Sequence, residues 1–236
     1  MKKRTKTLLA VITGVAILIG GIIGGIWMIN ESRYPNVPAF DDHFTRKFLN
    51  KDKKVTDGFY EFKSKTGQYA MWFPEEYQLI HENHEDYVVS GKMYERWVAA
   101  YTKEHKKEHQ INSISLKFSE GRDSGDESFS VESLMKNRFN VSEPKVIETS
   151  NTRIYYQSAY IYFKGPEKHV INDSKEHVPN TYVVYVADKE STKVIQLSMD
   201  QVGDFIEDSN LEKNTWVLNM SKSIHFKAEN NGDARR

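Results

Sequence analysis

Hydrophobic and polar positions divide the chain into two regimes. From Leu8 to Ile29 no side chain is charged, and Thr13 is the one conventional polar residue. A helix of that length, rising about 1.5 Å per residue, reaches roughly 33 Å against a hydrocarbon core of about 30 Å. From Gly58 the pattern changes to alternation. Phe59 to Lys63 and Tyr69 to Phe73 flank Thr66-Gly67 and predict a hairpin that Pro74 ends. Further strands are predicted over Tyr94 to Tyr101, Ile111 to Phe118, Arg153 to Phe163, Thr181 to Ala187, Val194 to Met199 and Ser223 to Lys227. Helical stretches are predicted over Ser130 to Phe139 and Leu211 to Ser221, the second with Asn210 available as its N-cap.

Between the regimes, Pro35 and Pro38 interrupt the membrane helix, and Phe40, Phe44 and Phe48 recur at i, i+4, i+8. Asp41 and Asp42 stand early and Arg46 and Lys47 late, which suits the dipole of a short amphipathic helix. Its phenylalanine stripe would pack on the following domain or lie in the membrane interface. The segments 121–127 and 165–180, rich in Gly, Ser, Asp and Pro, read as loop insertions. The expected organisation is a basic tip at 1–7, a transmembrane helix at 8–29 and a juxtamembrane spacer with the short helix at 30–57. An extracytoplasmic α/β domain at 58–227 and a frayed polar tail at 228–236 complete it.

Charge gives the anchor its direction. Lys2, Lys3, Arg4 and Lys6 precede the uncharged run, whereas Glu31 and Arg33 follow it, which by the positive-inside bias puts the N-terminus in the cytoplasm. The chain has 33 basic and 33 acidic residues, so the part beyond this tip is slightly acidic and carries no electrostatic footprint for nucleic acid. The competing reading of the segment is a cleaved signal peptide, but its apolar run is too long and ends in bulky Ile26-Trp27-Met28-Ile29. There is no cysteine, hence no disulfide, thiolate metal site, cysteine nucleophile or lipoprotein acceptor. Ala16, Gly20 and Gly24 recur every four residues, a spacing that lets two helices approach and form a homodimer. Glycine is also common in membrane helices for other reasons.

The opening hairpin runs into Phe73-Pro74-Glu75-Glu76-Tyr77. After a central helix and three strands the chain closes on Trp216-Val217-Leu218-Asn219-Met220-Ser221-Lys222-Ser223-Ile224-His225-Phe226. This succession resembles the PsbP/Mog1-type α/β sandwich, in which a strand ends at an aromatic-Pro step and the last helix leads into a Ser-x-x-Phe strand. The resemblance implies an α+β fold, an antiparallel-sheet sandwich, with no shared catalytic set. It also implies a binding or assembly module, often tethered outside a bacterial membrane. A basic N-terminus, an uncleaved anchor and a cysteine-free exterior fit a Gram-positive cell envelope.

Candidate chemistry is sparse. His105-Lys106-Lys107-Glu108-His109 matches H-x-x-E-H, a zinc-hydrolase pattern, but it lies among Lys, Glu and Gln with no apolar face to bury it. His81 and His84 stand one residue short of a metalloprotease spacing. The acidic turn of Glu120, Asp123, Asp126 and Glu127 does not match a calcium loop. Phosphate loops, dinucleotide fingerprints and nucleophile elbows are absent, and no cofactor is implied. Along Arg153 to Phe163, alternation puts Tyr156, Tyr160 and Tyr162 on one face, which suits either recognition or sheet packing. The leading expectation is a non-catalytic envelope-binding domain with a protein or other cell-envelope partner. The alternatives are an immunity or exclusion factor against a toxin or conjugation apparatus, a structural subunit of an envelope complex, and an envelope hydrolase using His105 and His109.

Overall fold

The computed structural model describes residues 19–22, 25, 31–101, 113–121, 127–201 and 210–228. Two units separate, Met1–Asn36 and Val37–Arg236. In the first, residues 19–22, 25 and 31 are helical. Among the described residues no helix is long and apolar enough to cross a membrane. The uncharged run 8–29 lies for the most part outside those residues.

The second unit starts ahead of Gly58. Its first elements are α1 (Pro38–Asp41), a 3-10 turn (Thr45–Phe48) and strand β1 (Leu49–Thr56), where the chain pattern predicts a spacer with one amphipathic helix. The helix breaks at Asp42. The Asp42 carboxylate accepts from the backbone N–H of Phe44 at 3.2 Å and of Thr45 at 2.7 Å, and from the Thr45 hydroxyl at 2.6 Å. It thereby caps a second turn where a single helix would have continued. Phe40 is buried, and Phe44 and Phe48 pack against the main core. The buried Thr45 hydroxyl also accepts the Leu79 N–H at 2.8 Å, which joins this segment to the domain.

The remaining strands are β2 (Phe59–Lys63), β3 (Tyr69–Pro74), β4 (Tyr77–Ile80), β5 (Tyr87–Ser90), β6 (Tyr94–Tyr101), β7 (Ser113–Glu120), β8 (Lys145–Glu148), β9 (Thr152–Lys164), β10 (Glu167–Ile171), β11 (Thr181–Asp188), β12 (Lys193–Asp200) and β13 (His225–Phe226). Helix α2 (Glu127–Phe139) lies between β7 and β8, and α3 (Asn210–Lys222) between β12 and β13. The strands form two antiparallel sheets. One has the order β1-β2-β3-β13; the other runs β10-β9-β11-β12-β7-β6-β4, with β5 also paired to β6 and β8 to β9. Segment 165–180, which reads as a loop in the sequence, therefore contains β10.

Strand β11 explains the layering. Its residues are buried from Thr181 to Ala187, the pattern of a strand covered on both faces. Tyr182, Val184 and Val186 enter a main core with Phe62, Phe73 and Trp97. Val183, Tyr185 and Ala187 enter a second core with Val131, Met135 and Phe139 of α2. The main core thus fills the space between the two sheets, where α3 adds Val217 and Met220, while α2 covers the opposite face of the larger sheet. Trp97 Nε1 donates to the Tyr69 hydroxyl at 2.9 Å, so the one polar atom of each ring is satisfied inside the aromatic core.

Glu95 fastens the tip of the β2–β3 hairpin to the larger sheet. Its carboxylate is fully buried and accepts from the N–H groups of Lys65 at 3.2 Å and Thr66 at 3.3 Å. The Thr66 hydroxyl at 3.1 Å and the Tyr87 hydroxyl at 3.0 Å complete the set. Burial, reinforced by the charge of Glu95, pushes the Tyr87 phenol up, which keeps it a donor. Glu95→Ala would strand two backbone donors and two hydroxyls, and is expected to cost about 3 kcal/mol or more. Denaturant titration measures this, and Glu95→Gln, which retains one acceptor oxygen, should lose less.

Candidate functional site

Strand β9 is 13 residues long and overruns its neighbour. Strand β11 pairs with it from Thr152 to Ala159, and beyond that point Tyr160 to Lys164 pair with β10. The result is a two-stranded hairpin extending past the end of β11. Gly165, at φ +61°, takes the first central position of the two-residue turn, where the primed hairpin turns require a left-handed residue.

An isolated two-stranded hairpin is marginal in water, and three polar side chains fasten this one. The Asn180 amide continues the ladder beyond β11, its Oδ1 accepting the Ile161 N–H at 2.8 Å and its Nδ2 donating to the Ile161 carbonyl at 2.7 Å. Lys168 Nζ donates to the carbonyls of Asn137 at 2.7 Å and Arg138 at 3.2 Å. A cation thus meets the C-terminal end of α2, where helix carbonyls lack partners. Asn172 Nδ2 donates to the Phe139 carbonyl at 3.0 Å. Ile161 and Val170 pack under α2 on the same side.

The opposite side displays a row of rings. Tyr162 and His169 are cross-strand partners, stacked with centroids 4.9 Å apart and planes at 12°. Tyr160 lies 5.8 Å from Tyr162 and stacks on His177 at 4.8 Å. Tyr162 is 39% exposed. Glu167 Oε2 lies 3.8 Å from the buried His169 Nε2, which has no hydrogen-bond partner among the described residues. The row can present flat aromatic surface, with Tyr162 exposed, to a partner at low entropic cost. Phe163, 68% exposed, stands on the other side of the tip.

Of the three tyrosines that share a face by alternation, Tyr160 and Tyr162 join this row. Tyr156 does not. It lies where β8 pairs with β9, is half-buried against the main core, and has Lys145 Nζ 5.6 Å over its ring. His169 and His177 join the site from the stretch 165–180, and only the β9–β10 register reveals that one of them faces Tyr162. Gly20 is helical, and a Cβ there would meet nothing within 4 Å, whereas Ala16 and Gly24 lie outside the described residues. His105 and His109 also lie outside them. His81 stacks on Phe44 at 4.3 Å, and among the described residues no three His, Asp or Glu side chains group as metal ligands.

At the far end of β9, Glu127 clamps the start of α2. Its carboxylate accepts from Arg153 Nε at 2.8 Å and Nη2 at 2.5 Å, and from the Tyr155 hydroxyl at 2.7 Å. Beside the neighbouring strand ends is a cleft of about 330 Å³ lined by Asn151, Asp188, Glu190, Ser191, His225 and Lys227 among others. Asp188 is already engaged by the Ser191 hydroxyl and the Glu190 N–H.

Residues 35–225 match the family model YvcA_Mog1p, described as "Putative lipoprotein YvcA". The chain belongs to this PsbP/Mog1-like family. Among solved structures it is similar to the solution structure of cyanobacterial PsbP (CyanoP) from Synechocystis sp. PCC 6803. That similarity is at 13% identity with a TM-score of 0.39, over 74% of this chain and 96% of that one. No curated protein matches it.

The Glu127 clamp makes stability depend on pH. The Arg153 guanidinium beside it, outweighing the partial burial and aided by the Tyr155 hydroxyl, holds the Glu127 carboxyl below its ordinary value of 4.5. A lowered folded-state value contributes stability that is complete above the ordinary value and is lost as the pH falls through the folded one. Glu127→Gln should therefore lower the melting temperature at neutral pH and flatten its decline through the carboxylate range. Melting curves recorded across that range read both effects.

Proposed function

We propose that this protein is a membrane-anchored, non-catalytic recognition domain of the bacterial cell envelope. It engages a protein or other envelope partner through the ring-bearing face of the β9–β10 hairpin. The observation that carries the reading is the hairpin itself: it extends past β11, three side chains fasten it, and it leaves Tyr160, Tyr162, His169 and His177 stacked on one side. Rigid aromatic residues concentrate binding energy in few positions. A surface held by carbonyls and an amide is already ordered before a partner arrives, which lowers the entropic cost of binding.

Two facts of composition support the tether. The family description is that of a lipoprotein, yet this chain has no cysteine to carry a lipid. It has instead the uncharged segment 8–29 behind Lys2, Lys3, Arg4 and Lys6. In this reading a protein helix does the work of the lipid, with the N-terminus in the cytoplasm and the domain outside.

Two experiments test the parts separately. Tyr160→Ala and Tyr162→Ala should weaken partner capture, with a true hot spot costing at least about 2 kcal/mol, while leaving the melting temperature nearly unchanged. Tyr156→Ala, at the packed base, should lower the melting temperature. Normal capture by both hairpin variants would remove the hairpin from consideration. For the tether, protease added to cells stripped of their wall should digest the chain beyond Asn30 and spare its first residues. A protected domain would overturn the orientation.

A further inference from the structure

Successive residues of a strand in an antiparallel ladder bond to alternate sides. In β9 the odd-numbered residues bond toward β11. The Ala159 carbonyl accepts the Asn180 N–H at 3.1 Å, and both backbone groups of Ile161 engage the Asn180 side chain. The even-numbered residues bond toward the other edge, which β8 and β10 share. β8 stands opposite Arg153 to Tyr156, and β10 opposite Tyr160 to Lys164. The two short strands thus lie end to end along one edge of β9, both running against it. Each pairs with β9 alone among the described residues. The backbone groups of Val146, Glu148, Lys168 and Val170 consequently point away from the sheet. Open edges of this kind template further pairing.

We propose that this composite edge pairs with the same edge of a second copy of the chain, antiparallel, about a two-fold axis at the level of Ser158. Register selects this occupant. Lys168 and Val170 stand at the level of Phe163 and Ile161, five and three residues beyond Ser158. Glu148 and Val146 stand at the level of Arg153 and Tyr155, five and three residues before it. A two-fold axis there brings Lys168 opposite Glu148 of the second copy and Val170 opposite its Val146, and the reverse. All four residues offer outward backbone groups in phase, enough for about eight hydrogen bonds at two per bonded pair. Valine faces valine, a favourable cross-strand pair, and no like charges meet where Lys168, whose Nζ is held by the α2 carbonyls, stands opposite Glu148, which is ion-paired to Lys189. Val146, 52% exposed, would be covered. Pairing β10 with its own copy instead sets Lys168 against Lys168, sets Glu167 against Ile171, or leaves Val170 against Val170 as the one bonded pair within the strand. An isologous contact requires self-complementarity, and the β8–β10 combination has it. The axis stands perpendicular to the sheet, so both ring-bearing hairpins face the same way and a dimer presents two recognition rows together.

The chain has no native cysteine, which makes the register directly testable in the full-length protein held in membranes. The double variant Val146→Cys with Val170→Cys should give a disulfide-linked dimer under mild oxidation, because bonded pairs bring Cα atoms to a separation a disulfide can bridge. Within one chain these positions are six residues apart along β9, about 20 Å at roughly 3.3 Å per residue, and cannot bridge. Either single variant places its cysteines about as far apart across the axis, so the covalent dimer should be lost. Val146→Pro, which removes an outward donor from an exposed edge position, should abolish non-covalent dimer at unchanged melting temperature. Equal crosslinking in single and double variants, or none in a folded double variant, would overturn the proposal. So would a folded Val146→Pro variant that remains dimeric. Loss of partner capture in Val146→Pro without any dimer in the parent would instead assign the edge to a strand of another protein.

Discussion

The two-sided burial of β11 is the constraint from which the rest of the domain follows. A strand with Tyr182, Val184 and Val186 in one core and Val183, Tyr185 and Ala187 in the other cannot shift by one residue without exchanging the contents of both cores. That fixes β12 on one side and the first half of β9 on the other. It also demands a cover on each face, which the smaller sheet with α3 and the helix α2 supply. Glu95 then decides how the smaller sheet sits, since the tip of its hairpin is bonded to a carboxylate rising from β6.

Strand β9 carries the consequence outward. Its first half is bound by the register of β11 and by the Glu127 clamp, and its second half is free of both cores' demands on the ring-bearing side. The same strand therefore serves as scaffold at one end and as display at the other. The polar bonds to α2 carbonyls make the change of role abrupt. Tyr156 and Tyr160 share a face yet differ in kind, because β8 and the main core reach the first and not the second.

Elements whose pattern reports burial were legible in the sequence. The β2–β3 hairpin, β6, β9, β11 and β12 alternate or run apolar because one or both faces meet a core, and Thr66-Gly67 marks the first turn. The strands that the pattern does not predict, β1, β4, β5, β8 and β10, all lie at sheet edges. Leu49 to Thr56 holds three lysines, and Glu167 to Ile171 begins Glu-Lys-His, the compositions expected where a strand has solvent on one side and an unpaired edge. The break at Asp42 leaves no mark in the apolar pattern, because the i, i+4, i+8 phenylalanines suit one continuous helix and the Asp42 cap is fixed by Thr45, itself bonded to β4. Tyr160 and Tyr162 could be nominated from alternation. His169 and His177 could not, since their position depends on a pairing and a return loop that leave no periodic trace.

The way the hairpin is fastened bears on how such a protein can diverge. Lys168, Asn172 and Asn180 grip main-chain carbonyls and an amide, groups that every residue supplies whatever its side chain. The outward rings, by contrast, make no contribution to either buried core, so their identities are uncoupled from the packing that holds the fold. Substitutions at Tyr160, Tyr162, His169 and His177 can accumulate while the scaffold stays fixed. A lineage can thereby change what its surface recognises without first acquiring compensating changes in its interior.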